Sequence, residues 1–300
     1  MHSGEKIDWG EKKWFEHHFS NYDKDDVTSY FNYSKRGYEK YREEKKIEIF
    51  KKTIAIKDHL TVLEIGSAIG YFCNRLSRLH RDLTVIGIDF APQMVIQASK
   101  LYSNPLFVSG AFPAFPFKAN SFDFIFATEV LYYVSDTERK KTWDQIRKIL
   151  KPGGRVFFTS LLDDGSRYFT AKSALDMAAE TMKIEQVFYD YNFLFNLISR
   201  QVTKIVRVTE CITGKSSMSH NRRRIVRKLV GISEIPIIGE VLTAGLKVME
   251  SFAKSFLSLQ QAPETLSKVS KKTLGDKART HIAVIARKNT RLKSREAKVS

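Results

Sequence analysis

The feature that most constrains the fold is a rhythm of short apolar runs and amphipathic segments that starts at residue 61. Runs rich in Val, Ile, Leu and Phe, such as Thr61–Ile65 and Phe122–Ala127, predict buried strands. Strands that alternate with helices form a parallel sheet with both faces covered. The predicted strands are 61–65, 83–88, 106–109, 122–127, 155–159, 184–189 and 281–286, and the predicted helices are 71–80, 92–101, 137–150 and 171–182.

A glycine-containing loop, Glu64–Tyr71, follows the first predicted strand and leads into a predicted helix. Glycine lets the backbone turn tightly and approach a ligand closely, and a helix N-terminus offers N–H groups to an anion. The second strand leads to Asp89, a spacing at which an acidic side chain can accept hydrogen bonds from both hydroxyls of a ribose. The sequence therefore predicts a nucleoside-containing ligand at the carboxyl ends of these strands.

Five motifs, in this order, resemble those of the class I S-adenosylmethionine-dependent methyltransferases. They are V-L-E-I-G-S-A-I-G-Y-F (62–72), V-I-G-I-D-F (85–90), F-P-F with S-F-D-F-I (115–125), T-E-V-L-Y-Y-V (128–134) and L-K-P-G-G (150–154). Within the small-molecule branch, the motifs are locally similar to the nodulation N-methyltransferases, which methylate an amino sugar. The resemblance covers about a third of the chain.

The resemblance implies an α/β fold: the class I methyltransferase (Rossmann-like) seven-stranded sheet with helices on both faces and an antiparallel last strand. It implies S-adenosyl-L-methionine (SAM) as the cofactor. The expected reaction is methyl transfer to an O or N atom of a small-molecule acceptor, such as a sugar, a lipid or a quinone-like compound. The cofactor-binding residues that it implies are Glu64, Gly66, Ser67, Ala68, Gly70, Tyr71, Asp89, Phe90, Met94, Gly110, Ala111, Phe112, Thr128 and Glu129.

Among these residues, the resemblance assigns Glu64 to the amino group of the methionine part and Asp89 to the ribose. Two residues depart from the family pattern. Ala68 replaces the usual middle glycine of the loop, which is tolerable unless the backbone there needs a positive φ. Ala111 stands where many relatives carry an Asp that binds the adenine amino group, so backbone groups would have to replace that contact.

Methyl transfer requires that the enzyme align the acceptor nucleophile with the methyl group and exclude water. It requires at most the removal of one proton. Glu129 is the candidate base, and the alternative is a structural carboxylate that contacts the cofactor or helix N–H groups. Cys73, inside the predicted helix after the loop, is interpreted as a packing residue. None of the seven histidines has a metal-like partner in the sequence, so no metal site is predicted.

The predicted organisation places a helical segment or lid at 1–60, the SAM-binding core at 61–190, a helical, basic insertion at 191–279, the final strand at 280–287 and a basic tail at 288–300. The N-terminal segment is rich in aromatic residues, and Tyr33, Tyr38 and Tyr41 are the lid candidates. The alternative for this segment is an amphipathic helix packed on the sheet edge.

The net charge of +17 is concentrated in residues 201–300, which hold 21 Lys and Arg against 7 Asp and Glu. Such a field favours an anionic partner. Five basic residues in Asn221–Lys228 precede an amphipathic stretch, Ile238–Phe256. We consider three roles for 221–256: a helix that caps the active site, an interfacial helix on an anionic membrane surface, and an RNA-binding surface. RNA methylation and a non-catalytic SAM-binding protein are therefore the alternative functions, with nucleic acid the weaker partner.

The N-terminus lacks the apolar core of a signal peptide, and no uncharged apolar run approaches the length of a spanning helix. The two cysteines exclude a disulfide framework and lack zinc-ligand spacing. We therefore expect a cytoplasmic protein that is soluble or peripheral to a membrane.

Overall fold

The computed structural model describes residues 36–54, 59–111, 113–134, 136–162, 169–190 and 261–289, with isolated positions between 194 and 255. The chain divides into two compact units. The first unit holds residues 1–25, 47–190 and 279–300, and the second holds 26–46 and 191–278. The division falls within the first described helix, after Lys46.

The first unit is built on a seven-stranded sheet of order β3-β2-β1-β4-β5-β7-β6. Its strands are β1 (Thr61–Ile65), β2 (Thr84–Asp89), β3 (Leu106–Ser109), β4 (Phe122–Thr128), β5 (Leu150–Leu161), β6 (Lys183–Asp190) and β7 (His281–Arg287). The described helices are α1 (Arg36–Thr53), α2 (Tyr71–Ser77), α3 (Pro92–Leu101), α4 (Asp136–Ile149), α5 (Ala171–Thr181) and α6 (Gln261–Leu274). Short 3₁₀ turns cover Leu131–Tyr133 and Gly275–Ala278.

The first five strands are parallel, and β7 runs antiparallel to both of its neighbours, β5 and β6. The predicted α/β class with an antiparallel last strand is therefore confirmed. Strand order reverses beside β1, because β2 lies on one side of it and β4 on the other. In doubly wound sheets this switch point opens a crevice at the carboxyl ends of the strands, where ligands bind.

Both faces of the central strands β1 and β4 are buried, and successive side chains of each strand point to opposite faces. On β1, Leu63 and Ile65 belong to one apolar cluster, while Val62 belongs to the other. The first cluster is covered by α4 and α5, with Trp143 fully enclosed. The second is covered by α1 and α2 and is dominated by phenylalanines. Phe50, Phe72, Phe124, Phe126 and Phe157 form it with neighbouring aliphatic residues.

The second unit is described mainly through α6 and the first half of α1. On α6, the Ser270 hydroxyl is buried and accepts a hydrogen bond of 3.2 Å from the backbone N–H of Leu194. Lys268 and Glu264 form an ion pair at 3.0 Å on the exposed side of that helix. No helix in the described part of the chain is long and apolar enough to cross a membrane.

Candidate functional site

The loop between β1 and α2 turns tightly through three residues with positive φ angles. Gly66 has φ of 75° and Gly70 has φ of 77°, while Ala68 between them has φ of 47°. A side chain on Gly70 would place its Cβ 2.3 Å from Cζ of Phe107, so only glycine fits there. Ala68 thus occupies the left-handed region of backbone conformation, which disfavours non-glycine residues. The replacement of the usual glycine by Ala68 therefore lowers the stability of the loop.

Asp89, the last residue of β2, ties this loop to the second strand. Its Oδ2 accepts a hydrogen bond of 2.9 Å from the backbone N–H of Ala68, and its Oδ1 accepts one of 3.0 Å from Ala91. Burial raises the pKa of Asp89 above its usual 3.8, against the lowering effect of the backbone donors Ala91, Ala68 and Phe90. A buried carboxylate with raised pKa at a strand end is typical of a functional position.

The hydroxyl of Ser67 is an unsatisfied polar group in the loop. It is buried, and within the described residues its Oγ has no hydrogen-bond partner. It packs against β2 at Gly87, where an added Cβ would lie 2.7 Å from that oxygen. Buried polar atoms of this kind are uncommon and point to a missing ligand or water.

Glu64 lies one residue before the end of β1 and is buried, with 4% of its surface exposed. Its Oε2 accepts a hydrogen bond of 3.0 Å from the thiol of Cys73 on α2. Sequence reasoning treated Cys73 as packing and missed this contact, because residue spacing does not show which way a helical side chain points.

Glu129 follows β4 and is joined to β5 by three hydrogen bonds. Its Oε1 accepts from the Thr159 hydroxyl at 2.8 Å, its Oε2 accepts from the Leu161 backbone N–H at 3.0 Å, and its own N–H donates to the Thr159 carbonyl at 3.1 Å. It also has a φ of 55°. These contacts are with a strand and are not the cofactor or helix N–H contacts of the structural alternative, so the role of Glu129 stays a prediction. Thr159 and Leu161 were not foreseen from the sequence.

The end of β3 also reaches this edge. The Gly110 backbone N–H donates a hydrogen bond of 2.9 Å to the carbonyl of Asp89, and Ala111 is exposed beside it. Phe90 and Tyr71 are half-buried, whereas Met94 is buried. Phe112 lies outside the described residues, so its predicted contact with adenine stays a prediction.

The loop after β4 closes on the glycine loop: an added Cβ on Gly66 would lie 3.0 Å from Cγ2 of Val130. Thr128 pairs with Thr159 in the register of β4 and β5. The ends of β1, β2, β3 and β4 thus converge on one edge of the sheet, as the sequence predicted from the loop and Asp89. Among the described residues, no three His, Cys, Asp or Glu side chains cluster as a metal site would require.

Of the three lid candidates, the structure describes the side chain of Tyr41 alone. Tyr33 lies outside the described residues, and Tyr38 belongs to α1 without a described side chain. The Tyr41 ring is half-buried, with Nζ of Lys45 5.8 Å from its centroid. Residues 221–243 and 290–300 also lie outside the described residues, so the cap, membrane and tail assignments stay predictions.

A family model for a methyltransferase domain matches residues 63–158, the stretch that contains the converging strand ends and the loops just described. Residues 63–158 are a class I methyltransferase domain. The fold also matches a solved structure from Galdieria sulphuraria, a candidate sarcosine dimethylglycine methyltransferase, with a TM-score of 0.52, 15% identity, and coverage of 84% of this chain and 85% of that one.

Two curated relatives are similar to the methyltransferase domain. A malonyl-[acyl-carrier protein] O-methyltransferase of Coxiella burnetii is 27% identical over 141 residues, which cover 47% of this chain and 46% of that protein. A phosphoethanolamine N-methyltransferase of Triticum aestivum is 33% identical over 103 residues, covering 32% of this chain and 20% of that protein. The chain therefore spans less than half the length of these relatives.

Proposed function

We propose that the protein transfers a methyl group from SAM to an O or N atom of a small-molecule acceptor. The observation that carries the proposal is the link between Asp89 and the glycine loop, a 2.9 Å hydrogen bond that sets a carboxylate beside a turn of three positive φ angles. This pairing lies within the residues that match the methyltransferase-domain model.

The residues present suit SAM, which has a ribose, an ammonium, a carboxylate and an adenine. Asp89 has acceptor capacity left for a ribose hydroxyl, because its two carboxylate oxygens accept up to four hydrogen bonds and three backbone donors, Ala68, Ala91 and Phe90, contact them. The orphan hydroxyl of Ser67 lies on the same loop. The proposal assigns the ammonium to Glu64 and the carboxylate to the loop N–H groups and the start of α2.

When bound, SAM supplies a sulfonium-activated methyl group. The contribution of the chain is to fix the two halves of the ligand and to keep water out. Asp89 and Glu64 hold opposite ends of the ligand on neighbouring strands, since Glu64 is paired with Gly87 of β2, two residues before Asp89. Glu129, tied to β5, holds the loop after β4 against the glycine loop. Such positioning supplies most of the barrier reduction in reactions of this kind.

A small-molecule acceptor is supported by the chemistry of the relatives, one of which is named as an O-methyltransferase and the other as an N-methyltransferase. The basic final third of the chain is proposed to contact the acceptor or an anionic surface, which would include a lipid headgroup. Its charge also motivates the RNA alternative, so the test includes RNA.

The test has two stages. Titration calorimetry of the purified chain with SAM and with S-adenosylhomocysteine establishes whether the site binds the cofactor. Formation of S-adenosylhomocysteine is then followed with a panel of amino sugars, phosphorylated amines, hydroquinones and total RNA. We expect binding of both ligands and turnover with a small-molecule class. Absence of heat with either ligand, or methyl transfer to RNA alone, would contradict the proposal.

A further inference from the structure

We propose that the thiol of Cys73 is a positioning group for Glu64, and that it thereby sets the affinity for the amino-acid half of the cofactor. The inference rests on the proposed function, because it takes SAM as the ligand of this site. It assigns a chemical task to a cysteine whose position in the sequence suggests only packing.

The first observation is the burial of both partners. Cys73 is fully buried at 0% exposure, and Glu64 retains only 4%. The Cys73 Sγ and the Glu64 Oε2 are 3.0 Å apart, with the thiol as donor. A carboxyl group removed from water must be hydrogen-bonded inside the protein, since leaving it without partners is costly.

The second observation is the chemistry of the strands that flank Glu64. Its register partners are Gly87 on β2 and Phe126 on β4, and neither has a side-chain donor. The rings of Phe72 and Phe126 meet edge to face with centroids 4.9 Å apart on the same face of the sheet. Cys73 on α2 supplies a side-chain donor to this carboxyl group from one face of the sheet.

The third observation is how α2 is fixed. The helix begins directly after Gly70, whose carbonyl accepts the Asn74 N–H at 2.9 Å, and Gly70 itself cannot bear a side chain because of Phe107. The position of Cys73 is therefore set by the same loop that is proposed to hold the cofactor. A thiol donor at this point fixes the rotamer of Glu64, and the carboxyl group held in this way is the acceptor that the proposal assigns to the ammonium.

The test compares two ligands that share adenosine and a thioether. S-Adenosylhomocysteine carries the aminocarboxypropyl arm, and 5′-methylthioadenosine lacks it. Affinities for both are measured by calorimetry on the full chain, its Cys73→Ala variant and its Cys73→Ser variant. The control is Leu76→Val, which removes apolar volume from a fully buried position on α2 without touching a polar group.

We expect Cys73→Ala to weaken S-adenosylhomocysteine binding about fivefold to tenfold, because a hydrogen bond that orients its amino group is lost. Binding of 5′-methylthioadenosine should change less than about twofold. Cys73→Ser, which restores a donor, should return S-adenosylhomocysteine affinity to within about twofold of the original. Leu76→Val should change the affinities for S-adenosylhomocysteine and 5′-methylthioadenosine by the same factor.

Equal weakening of both ligands in Cys73→Ala, or no change in either, would overturn the positioning role and leave the proposed function standing. Failure of the unsubstituted chain to bind either ligand would instead overturn the proposed function. The hydrogen bond itself has a separate readout in the infrared S–H stretch. In the Cys211→Ala background Cys73 is the one remaining cysteine, and Glu64→Gln should move its band to higher wavenumber. An unmoved band would also overturn the inference.

Discussion

Oε1 of Glu129 accepts a hydrogen bond of 2.8 Å from the hydroxyl of Thr159, which ties the residue after β4 to the carboxyl-terminal part of β5. Because Glu129 has a φ of 55°, this contact and the bond from Leu161 hold a backbone conformation that is costly for a side chain of this size. The carboxylate therefore acts as an anchor for the loop that meets Gly66.

The anchor role makes Glu129→Gln a mild substitution. The amide oxygen can accept from the Leu161 N–H while the amide nitrogen donates to the Thr159 hydroxyl, so both bonds persist. We expect SAM affinity and turnover to stay within about twofold, since two charge-assisted bonds are exchanged for two neutral ones in the same geometry. A fall in kcat of about a hundredfold with unchanged KM would contradict the anchor and restore the base.

Thr159→Val tests the same anchor from β5. Removing the hydroxyl deprives Oε1 of Glu129 of a donor and should lower the free energy of unfolding by about 1 kcal/mol. Urea denaturation measures this change. Thr142→Val is the control, because the Thr142 hydroxyl is also buried but has no partner among the described residues, so its replacement should be close to neutral. Equal losses at the two positions would show that the Glu129 contact contributes nothing specific.

Ala68→Gly should stabilise the protein. Ala68 has a φ of 47°, where a Cβ is disfavoured and glycine is not, so the substitution relieves strain that outweighs the added freedom of the unfolded chain. We expect a gain of about 0.5 kcal/mol in the free energy of unfolding. A loss of stability would show that the methyl group makes a packing contact worth more than the strain.

Gly70→Ala should have the opposite effect. The new Cβ would lie 2.3 Å from Cζ and 2.5 Å from Cε1 of Phe107, and the φ of 77° is unfavourable for alanine. We expect a loss of about 2 kcal/mol or more. Combining Gly70→Ala with Phe107→Ala removes the clash and should recover part of the lost free energy of unfolding. A double-mutant cycle, followed by urea denaturation, measures this recovery. Strict additivity of the two substitutions would contradict the predicted clash.

The raised pKa of Asp89 predicts a pH dependence of stability. In the folded chain this pKa lies above the usual 3.8, because burial disfavours the charged form. The stabilising contribution of Asp89 to the free energy of unfolding is therefore fully present below pH 3.8. It is lost as the pH rises through the raised pKa of the folded chain. Relative to the Asp89→Asn variant, the unsubstituted chain should lose stability across this interval and then level off. Urea denaturation at stepped pH measures the difference, and a difference that grows in favour of Asp89 with pH would contradict it.

Much of the sheet was predictable because the apolar runs are short and well separated. Each of the seven strands overlaps its predicted range, and the switch point beside β1 follows from their order. The start of β5 was predicted wrongly. Pairing with β4 already begins at Leu150, and the register shifts before Arg155. Pro152 and two glycines suggested a turn there, and sequence reasoning does not foresee an irregular strand at such residues.

The sequence predicts which residues of the candidate site lie at the same end of the sheet, but not which hydrogen bonds their side chains make. The loop and Asp89 were placed correctly at one sheet edge, since parallel strands end together. The partners of the carboxyl groups were not, because the contacts of Cys73 with Glu64 and of Thr159 with Glu129 join side chains of different elements. The positive φ of Ala68 does not follow from the sequence either, because the conformation of one loop residue depends on the contacts around it.

Titration of the unsubstituted chain and its Asp89→Asn variant with SAM tests the central claim most directly. Asp176→Asn, an exposed carboxylate paired with Lys172 on α5, is the matched control for lost charge. We predict that Asp89→Asn weakens SAM binding by about 1–3 kcal/mol, because hydrogen bonds from the ribose to a charged acceptor are lost, while Asp176→Asn leaves it unchanged. Equal affinity of all three proteins would contradict the assignment of Asp89 and its loop as the cofactor site.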